Sequence, residues 1–348
     1  MTKTQRVWVT GATGGLGQAV VHRFLAEGYC VMATGRNTVI GAKLIQQGAH
    51  FVMLDIGQLS VNDWCQYLRA GDAVIHCAAL SSPWGKYAHF HQVNLIGTRH
   101  LAAAALKMNV SRLIHVSTPS IYFDFSDRIN LNESCALPRP VNFYAKTKLA
   151  AETELYLLAA QGLNTVIIRP RAIFGENDTV LMPRLLRAYR NDTMPLIAQG
   201  QALIDITHVD NVAHALFLAT TVALDFSDGQ AKIYNITNGE PMRVREIFEQ
   251  LFAGLAWPVH FKKIPWPLAH NYAKLLQWLG NMRNKEPLLT PYSAGVLAFS
   301  QTLDISKARK ELGYVPLVSI AQGLARYIAW ARIHEPLIKT VRSLPNED

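Results

Sequence analysis

Through the first half of the chain, short apolar runs alternate with stretches whose apolar residues recur at every third or fourth position. The runs Val7–Thr10, Cys30–Thr34, His50–Leu54, Ala73–His76, Leu113–Ser117 and Thr165–Arg169 read as strands. Gly15–Glu27, Val39–Gln47, Val61–Leu68, Asn94–Met108 and Asn142–Ala160 read as helices. This alternation predicts an α/β fold, a doubly wound parallel sheet with helices on both faces. The strands are apolar almost throughout, which suits burial on both sides. After Gly175 the rhythm breaks, and prolines such as Pro183, Pro195, Pro241, Pro265 and Pro291 punctuate shorter elements. Ile204–His208 and Lys232–Ile236 still look like sheet material. The expected layout is a dinucleotide-binding domain over 1–175 plus about 203–240. A smaller, discontinuous substrate-binding domain takes about 176–202 and 241–340. The tail Arg342–Asp348 is polar and is expected to fray.

Half of the 348 residues are hydrophobic, enough for a large core. Net charge is +9, yet no block of five or more Lys/Arg and no aromatic-basic repeat occurs, so a nucleic-acid partner is not expected. Cys30, Cys65, Cys77 and Cys135 include no C-x-x-C pair. They point to a reducing, cytoplasmic setting rather than a disulfide framework. The first strand begins near Arg6, leaving no room for a signal peptide, and no apolar run reaches the ~18 residues of a membrane span. Twelve histidines offer no metal-ligand spacing, and no metal is assigned.

The first strand runs into Gly11-Ala12-Thr13-Gly14-Gly15-Leu16-Gly17 and then a helix. In such a turn Gly11 permits the tight bend, Gly14 lets backbone approach a pyrophosphate, and Gly17 lets the helix pack on the strand. The helix start, from Thr13 through Gly15 and Leu16, then presents free N–H groups to phosphates. At the end of the second strand stands Thr34-Gly35-Arg36, with no carboxylate to hold ribose hydroxyls. Arg36 can pair with a 2′-phosphate, which favours NADP(H) over NAD(H). Its other readings are a solvated loop cation or a stack on adenine. Asp55, after the third strand, is either an adenine contact or a loop residue.

Tyr144 and Lys148 are four apart at the start of a helix, so they share a face one turn apart. A phenol with its usual pKa of ~10 needs help to exchange protons near neutrality, and a nearby ammonium supplies it. Such a pair can give a proton to a carbonyl or take one from an alcohol. Ser117 and Thr118 end the fifth strand, where ligands bind in a doubly wound sheet. A hydroxyl there can hold a substrate oxygen, or simply satisfy a turn.

Together these residues resemble the extended short-chain dehydrogenase/reductase family. The glycine loop, Asp55-Ile56, His76-Cys77-Ala78-Ala79, Val93–Thr98, Tyr144-x-x-x-Lys148 and Arg169-Pro170 follow its order. The resemblance implies that Lys148 also binds the nicotinamide ribose and that Asp55 and Ile56 belong to the cofactor site. It further implies that Ala78 and Ala79 line the cofactor, that Pro170 lies near the nicotinamide, and that Thr118, with Ser117 as alternative, is the catalytic hydroxyl. The second half resembles the 3β-hydroxysteroid dehydrogenase group and its relatives that reduce 2-alkyl-3-oxo acids. The segments carrying this are Ala79–Gly85, Ser117–Ser120, Glu286–Pro291 and Asp304–Tyr314. An NAD(P)-dependent oxidoreductase acting on an apolar ketone or secondary alcohol is implied, and a homodimer formed by the helices Asn94–Met108 and Asn142–Ala160. The competing readings are a nucleotide-sugar epimerase or dehydratase with tightly bound NAD, and a non-catalytic dinucleotide sensor. Pro119 occupies the place where dehydratases usually carry an acid, and the retained Tyr144 and Lys148 argue against a sensor.

Arg184, Arg187 and Arg190 fall along one helical stretch and could bind a diphosphate, though a solvated face is the simpler reading. Trp266–Leu279, rich in Trp, Leu and Tyr, reads first as a core-facing helix. The alternatives are a lid over an apolar pocket and a peripheral membrane contact.

Overall fold

The computed structural model describes residues 5–178 and 180–334. The tail Arg342–Asp348 and the last residues of the expected second domain lie outside them. The chain opens as β1 (Arg6–Thr10), α1 (Gly15–Ala26), β2 (Cys30–Gly35), α2 (Thr38–Gln46), β3 (His50–Met53), α3 (Val61–Tyr67) and β4 (Ala73–His76). There follow α4 (Tyr87–Phe90), α5 (Gly97–Lys107), β5 (Arg112–Val116), β6 (Arg128–Leu131), α6 (Phe143–Ala159), β7 (Thr165–Pro170) and β8 (Ile173–Phe174). Next come α7 (Leu181–Ala188), β9 (Thr193–Ile197), β10 (Leu203–Ile204), β11 (Thr207–His208), α8 (Val209–Thr221) and β12 (Lys232–Ile236). The rest is β13 (Met242–Arg243), α9 (Val244–Leu255), β14 (His260–Ile264), α10 (Trp266–Arg283), α11 (Pro291–Ala298), β15 (Gln301–Leu303), α12 (Ser306–Leu312) and α13 (Ile320–Ile333).

Seven strands form one parallel sheet in the order β12-β7-β5-β4-β1-β2-β3. The expected doubly wound α/β fold is therefore what forms. Alternation along β1 shows why both faces are closed. Val7 and Val9 pack with Val20, Val21 and Phe24 of α1 and Val212 and Leu216 of α8. Trp8 points the other way, into Trp64, Leu101 and Leu155. Strand order reverses between β1 and β4, which opens a crevice beyond their carboxyl ends.

Three elements differ from expectation. Lys232–Ile236 returns to the main sheet beside β7, but Ile204–His208 is not one strand. Leu203–Ile204 joins a four-stranded sheet with β13, β15 and β6, whereas Thr207–His208 pairs with β8. Buried Asp205 lies at the break, its carboxylate accepting the Leu303 N–H at 2.8 Å. The helix expected over Asn94–Met108 begins as a π-helical turn, His91–Ile96, before α5. Such turns widen the helix and are frequent at functional sites. Finally, α10 meets a small core with one narrow side only, where Ala269 and Ala273 join Ile197 and Ala294 and Trp266 packs against them, so the core-facing reading holds for that side alone. Leu268, Tyr272, Leu275, Trp278 and Met282 are exposed, and Leu268, Tyr272 and Leu276 line a cavity.

Helix α6 carries Tyr144, Lys148, Glu152 and Tyr156 at intervals of four, a stripe along one side. Glu152 forms a two-pronged pair with Arg169 of β7, Nε to Oε1 at 3.0 Å and Nη2 to Oε2 at 2.5 Å, with both side chains buried. Tyr122 and Tyr156 hydroxyls complete the group. A buried ion pair stabilises little against an apolar replacement, but removing one partner strands the other charge. Glu152→Gln is therefore expected to cost roughly 3–5 kcal/mol in urea unfolding. A loss below about 1 kcal/mol would mean that Arg169 finds another partner.

Candidate active site

The glycine turn is set by backbone proximity. Gly11 has φ +66°, and a Cβ on it would lie 2.7 Å from the Ala78 backbone. A Cβ on Gly17 would stand 2.1 Å from the Gly11 carbonyl oxygen. Both positions therefore need glycine, and β1, α1 and the end of β4 meet closely there. Gly14 donates its N–H to the Gly11 carbonyl at 3.0 Å and remains exposed. Thr13 packs on Gly35, where a Cβ would come within 2.5 Å of its hydroxyl oxygen.

A buried proton chain ties β1 to β4 and α5. Thr98 gives its hydroxyl proton to the Asn94 carbonyl (2.7 Å), so it accepts from His76 Nε2–H (2.9 Å). His76 Nδ1 then accepts from the Thr10 hydroxyl (2.7 Å), whose oxygen accepts the Ala78 N–H (3.3 Å). This direction requires a neutral His76. Burial, aided by Lys148, pushes its pKa down to about 3. The chain holds Ala78 against the glycine turn. Asn94 then fixes the next loop, accepting the Leu80 N–H at 2.7 Å and donating to the Leu80 carbonyl at 3.1 Å.

Lys148 is almost fully buried. Its Nζ donates to the Val116 carbonyl at 2.6 Å and lies 2.9 Å from His115 Nε2. Burial lowers its pKa to about 7, while Glu152 one turn on and Cys77 work in the opposite direction. His115 is pushed well below its usual range by burial, then by Lys148 and His76, and its Nδ1 has no hydrogen-bond partner. Asn142 caps α6, accepting the Ala145 N–H at 2.8 Å, and so sets where Tyr144 and Lys148 stand. The expected lowering of the Tyr144 pKa by Lys148 is not what the geometry produces. Burial raises it, and the groups pulling it down are the hydroxyls of Thr118 and Ser81. The lysine is held instead against β5 by His115 and Val116.

Thr118 is one of two hydroxyls beside the Tyr144 phenol, the other being Ser81. Thr118 accepts the Ser120 N–H at 3.1 Å and donates to Ser120 Oγ at 2.9 Å. Ser120 Oγ lies 2.6 Å from the Tyr292 hydroxyl, and Arg171 bonds Tyr292 in turn. Ser117 Oγ is buried and unpartnered, on the wall of the same cleft. Ser81, Ser120, Tyr292 and His115 escaped the sequence reading. Ser81 and Ser120 lie in segments already tied to the reductase group, but Tyr292 is brought in from 172 residues beyond Ser120. Glu152 had a legible signal in the continued spacing of four.

One cavity of about 1160 Å³ runs from Gly11, Gly14 and Gly17 past Ser117, Thr118 and Tyr144 to α10 and α11. Pro170, Leu16, Gly15 and Ala79 also line it, as do apolar side chains from α7, α10 and α11. Arg184, Arg187 and Arg190 border the cavity as well, the first two half-buried and Arg190 exposed. Arg184 pairs with Glu286 at 3.2 Å, and α7 ends at Ala188, before Arg190. Arg36, Asp55 and Ile56 lie beyond this cavity, at the ends of β2 and β3. Arg36 is exposed, Ile56 is buried, and Asp55 accepts the Gly57 N–H at 3.0 Å.

The residues fit a dinucleotide. Gly11 and Gly17 leave no room for a Cβ where the turn borders the cleft, an unpartnered Ser117 hydroxyl lies on its wall, and the buried Lys148 amine is bonded to the carbonyl of Val116, which lines it. The fold and site define an NAD(P)-dependent oxidoreductase of the Rossmann type. Residues 7–237 match the model of the NAD dependent epimerase/dehydratase family, and the chain belongs to that family. It is 36% identical to the uncharacterized protein YbjS of Escherichia coli (strain K12), over 95% of this chain and 99% of the relative. It is 33% identical to a 2-alkyl-3-oxoalkanoate reductase of Stenotrophomonas maltophilia (strain K279a), over 92% and 98%. It is 30% identical to the human sterol-4-alpha-carboxylate 3-dehydrogenase, decarboxylating, over 94% and 88%. Among solved structures, MoeE5 in complex with UDP-glucuronic acid and NAD superposes with a TM-score of 0.74 at 24% identity, over 95% and 99%, a likeness of fold.

The lowered Lys148 pKa carries a sign for stability. Unfolded, a lysine binds its proton up to ~10.4, whereas the folded chain releases it near 7. The unfolded state therefore holds more protons between these values, and stability rises with pH across that window. Lys148→Met should flatten this rise and gain most over the parent below pH ~7. Urea midpoints at about pH 6 and about pH 9.5 check it. Parallel pH curves for the two proteins would refute the assignment.

Proposed function

We propose that this protein interconverts a ketone and a secondary alcohol on an apolar, 3-oxo lipid-like or steroid-like substrate. The observation carrying this reading is a Tyr144–Thr118–Ser81 hydroxyl cluster on the wall of a large, mainly apolar cavity continuous with the glycine cradle. Gly11–Gly17, Ala78, Ala79, Ser117, Lys148 and Pro170 would hold a nicotinamide dinucleotide, which would supply or accept the hydride. Thr118 and Ser81 orient the substrate oxygen. Tyr144 gives a proton to the carbonyl oxygen in reduction and takes it back in oxidation. Lys148 would hold the ribose and supply the local charge. The names of the oxoalkanoate and sterol-carboxylate relatives support this substrate class. The arginines bordering the cavity suit an acidic group on it.

Arg36, exposed at the end of β2 with no carboxylate beside it, supports NADP(H) as the preferred cofactor. Those same arginines also favour a second reading, a nucleotide-sugar epimerase with tightly bound NAD, because a diphosphate needs such cations.

Following reduced-cofactor absorbance with 3-oxo acids, 3-ketosteroids and UDP-sugars separates the two. Oxidation of NADPH by an apolar ketone supports the first reading. Product from a UDP-sugar without net cofactor consumption replaces it with the second. With a working ketone, Tyr144→Phe should lower kcat by about 10²–10⁴-fold and leave dinucleotide affinity unchanged. Near-normal turnover would remove Tyr144 from the chemistry. Arg36→Glu should shift the NADPH/NADH ratio of kcat/KM by about tenfold or more toward NADH, and an unmoved ratio would place the arginine in solvent.

A further inference from the structure

Helix α10 is the most exposed apolar element of the described residues. Leu268, Tyr272, Leu275, Trp278 and Met282 each keep 51–68% of their surface exposed. At 100° per residue they fall within an arc of about 120°, interrupted by Asn271. The opposite side is made of Ala269, Ala273 and Gly280, small enough for close packing. A Cβ on Gly280 would meet the Lys285 carbonyl oxygen at 2.7 Å. The helix thus turns its bulky residues outward while its backbone is held to the body of the protein. Isolated exposed leucines are ordinary, but a continuous stripe with an exposed tryptophan marks a contact surface.

Charge decides the occupant. From Gln250 through Lys285 the chain has five basic residues, Lys262, Lys263, Lys274, Arg283 and Lys285, and no Asp or Glu. Lys262 and Lys263 are exposed on β14, directly before α10, and border the same cavity as Leu268 and Tyr272. A second copy of this face would bring two such basic surfaces together. An anionic lipid surface is complementary to both its apolar and its basic parts. No described helix is long and apolar enough to cross a membrane, so the geometry required is a helix lying in the interface plane.

We propose that α10 and the β14 lysines dock this protein onto the surface of an anionic phospholipid bilayer, with the cavity mouth facing the lipid. Leu268 and Tyr272 lie on both the stripe and the cavity wall, so a docked molecule receives an apolar ligand without passing it through water. The far end of α10 reaches the active-site loop, where Trp84 Nε1 donates to Asn281 Oδ1 at 2.7 Å, three residues from Ser81. Docking itself does not depend on which substrate the site takes, whereas delivery of an apolar ligand rests on the function proposed above.

The test is flotation of the purified full chain with vesicles of phosphatidylcholine alone and of phosphatidylcholine with phosphatidylglycerol. The protein should float with the anionic vesicles, be released by salt, and bind neutral vesicles far less. Neutralising Lys262 or Lys263 to Gln should weaken partitioning by roughly fivefold each. The double variant Leu275→Glu/Trp278→Glu should abolish it, with unchanged melting temperature and dinucleotide affinity. Absence of binding to phosphatidylglycerol vesicles overturns the proposal, as does binding that these folded variants leave intact. A dimer that the double variant converts to monomer in light scattering also overturns it, assigning the face to a second copy.

Discussion

A lysine ammonium taken almost completely out of water is the demand around which this site is built. Lys148 is held at the end of β5, where burial works against its charge. The surroundings meet this from three directions. The Val116 carbonyl and His115 Nε2 accept at the end of β5, and Glu152 adds a favourable field from one turn along α6. Glu152 is itself immobilised by Arg169 from β7. β5, β7 and α6 are thus tied together by the groups that surround one buried side chain. His115 and His76 must stay neutral beside the ammonium, and both are pushed far toward the neutral form.

The phenol belongs to a different circuit. Tyr144 answers to Thr118 and Ser81, and through Thr118 to Ser120 and Tyr292, a line of hydroxyls reaching from β5 to α11. Lysine and tyrosine share a helix face but lean on separate networks, one facing the cradle and the other facing the cavity. That separation suits a two-part task. The cradle side carries one buried amine held by acceptors, whereas the cavity side carries hydroxyls that can donate or accept.

The cavity itself is assembled from distant segments. α7, β14, α10 and α11 each contribute a strip of its wall, mostly apolar, with arginines along one border. The same arrangement leaves α10 covering the cavity on one edge and exposing its bulk on the other.

Much of this was legible in the chain. Alternating apolar runs specify a buried parallel sheet because strand and helix periods differ and each must bury its apolar side. Gly11 and Gly17 declare a close backbone approach, and the spacing of Tyr144 and Lys148 places them together whatever surrounds the helix. These are local rules, carried by a few consecutive residues. The residues around them were not legible in the same way. His115 reads as one more strand residue until Lys148 is folded against it, and Tyr292 acquires a role only by meeting Ser120 across 172 positions. Ile204–His208 looks like one strand, but the burial of Asp205 against the Leu303 N–H divides it between two sheets. The composition of α10 suits a core helix equally well as an exposed one. Periodicity records which side chains share a face, and tertiary packing alone decides what that face meets.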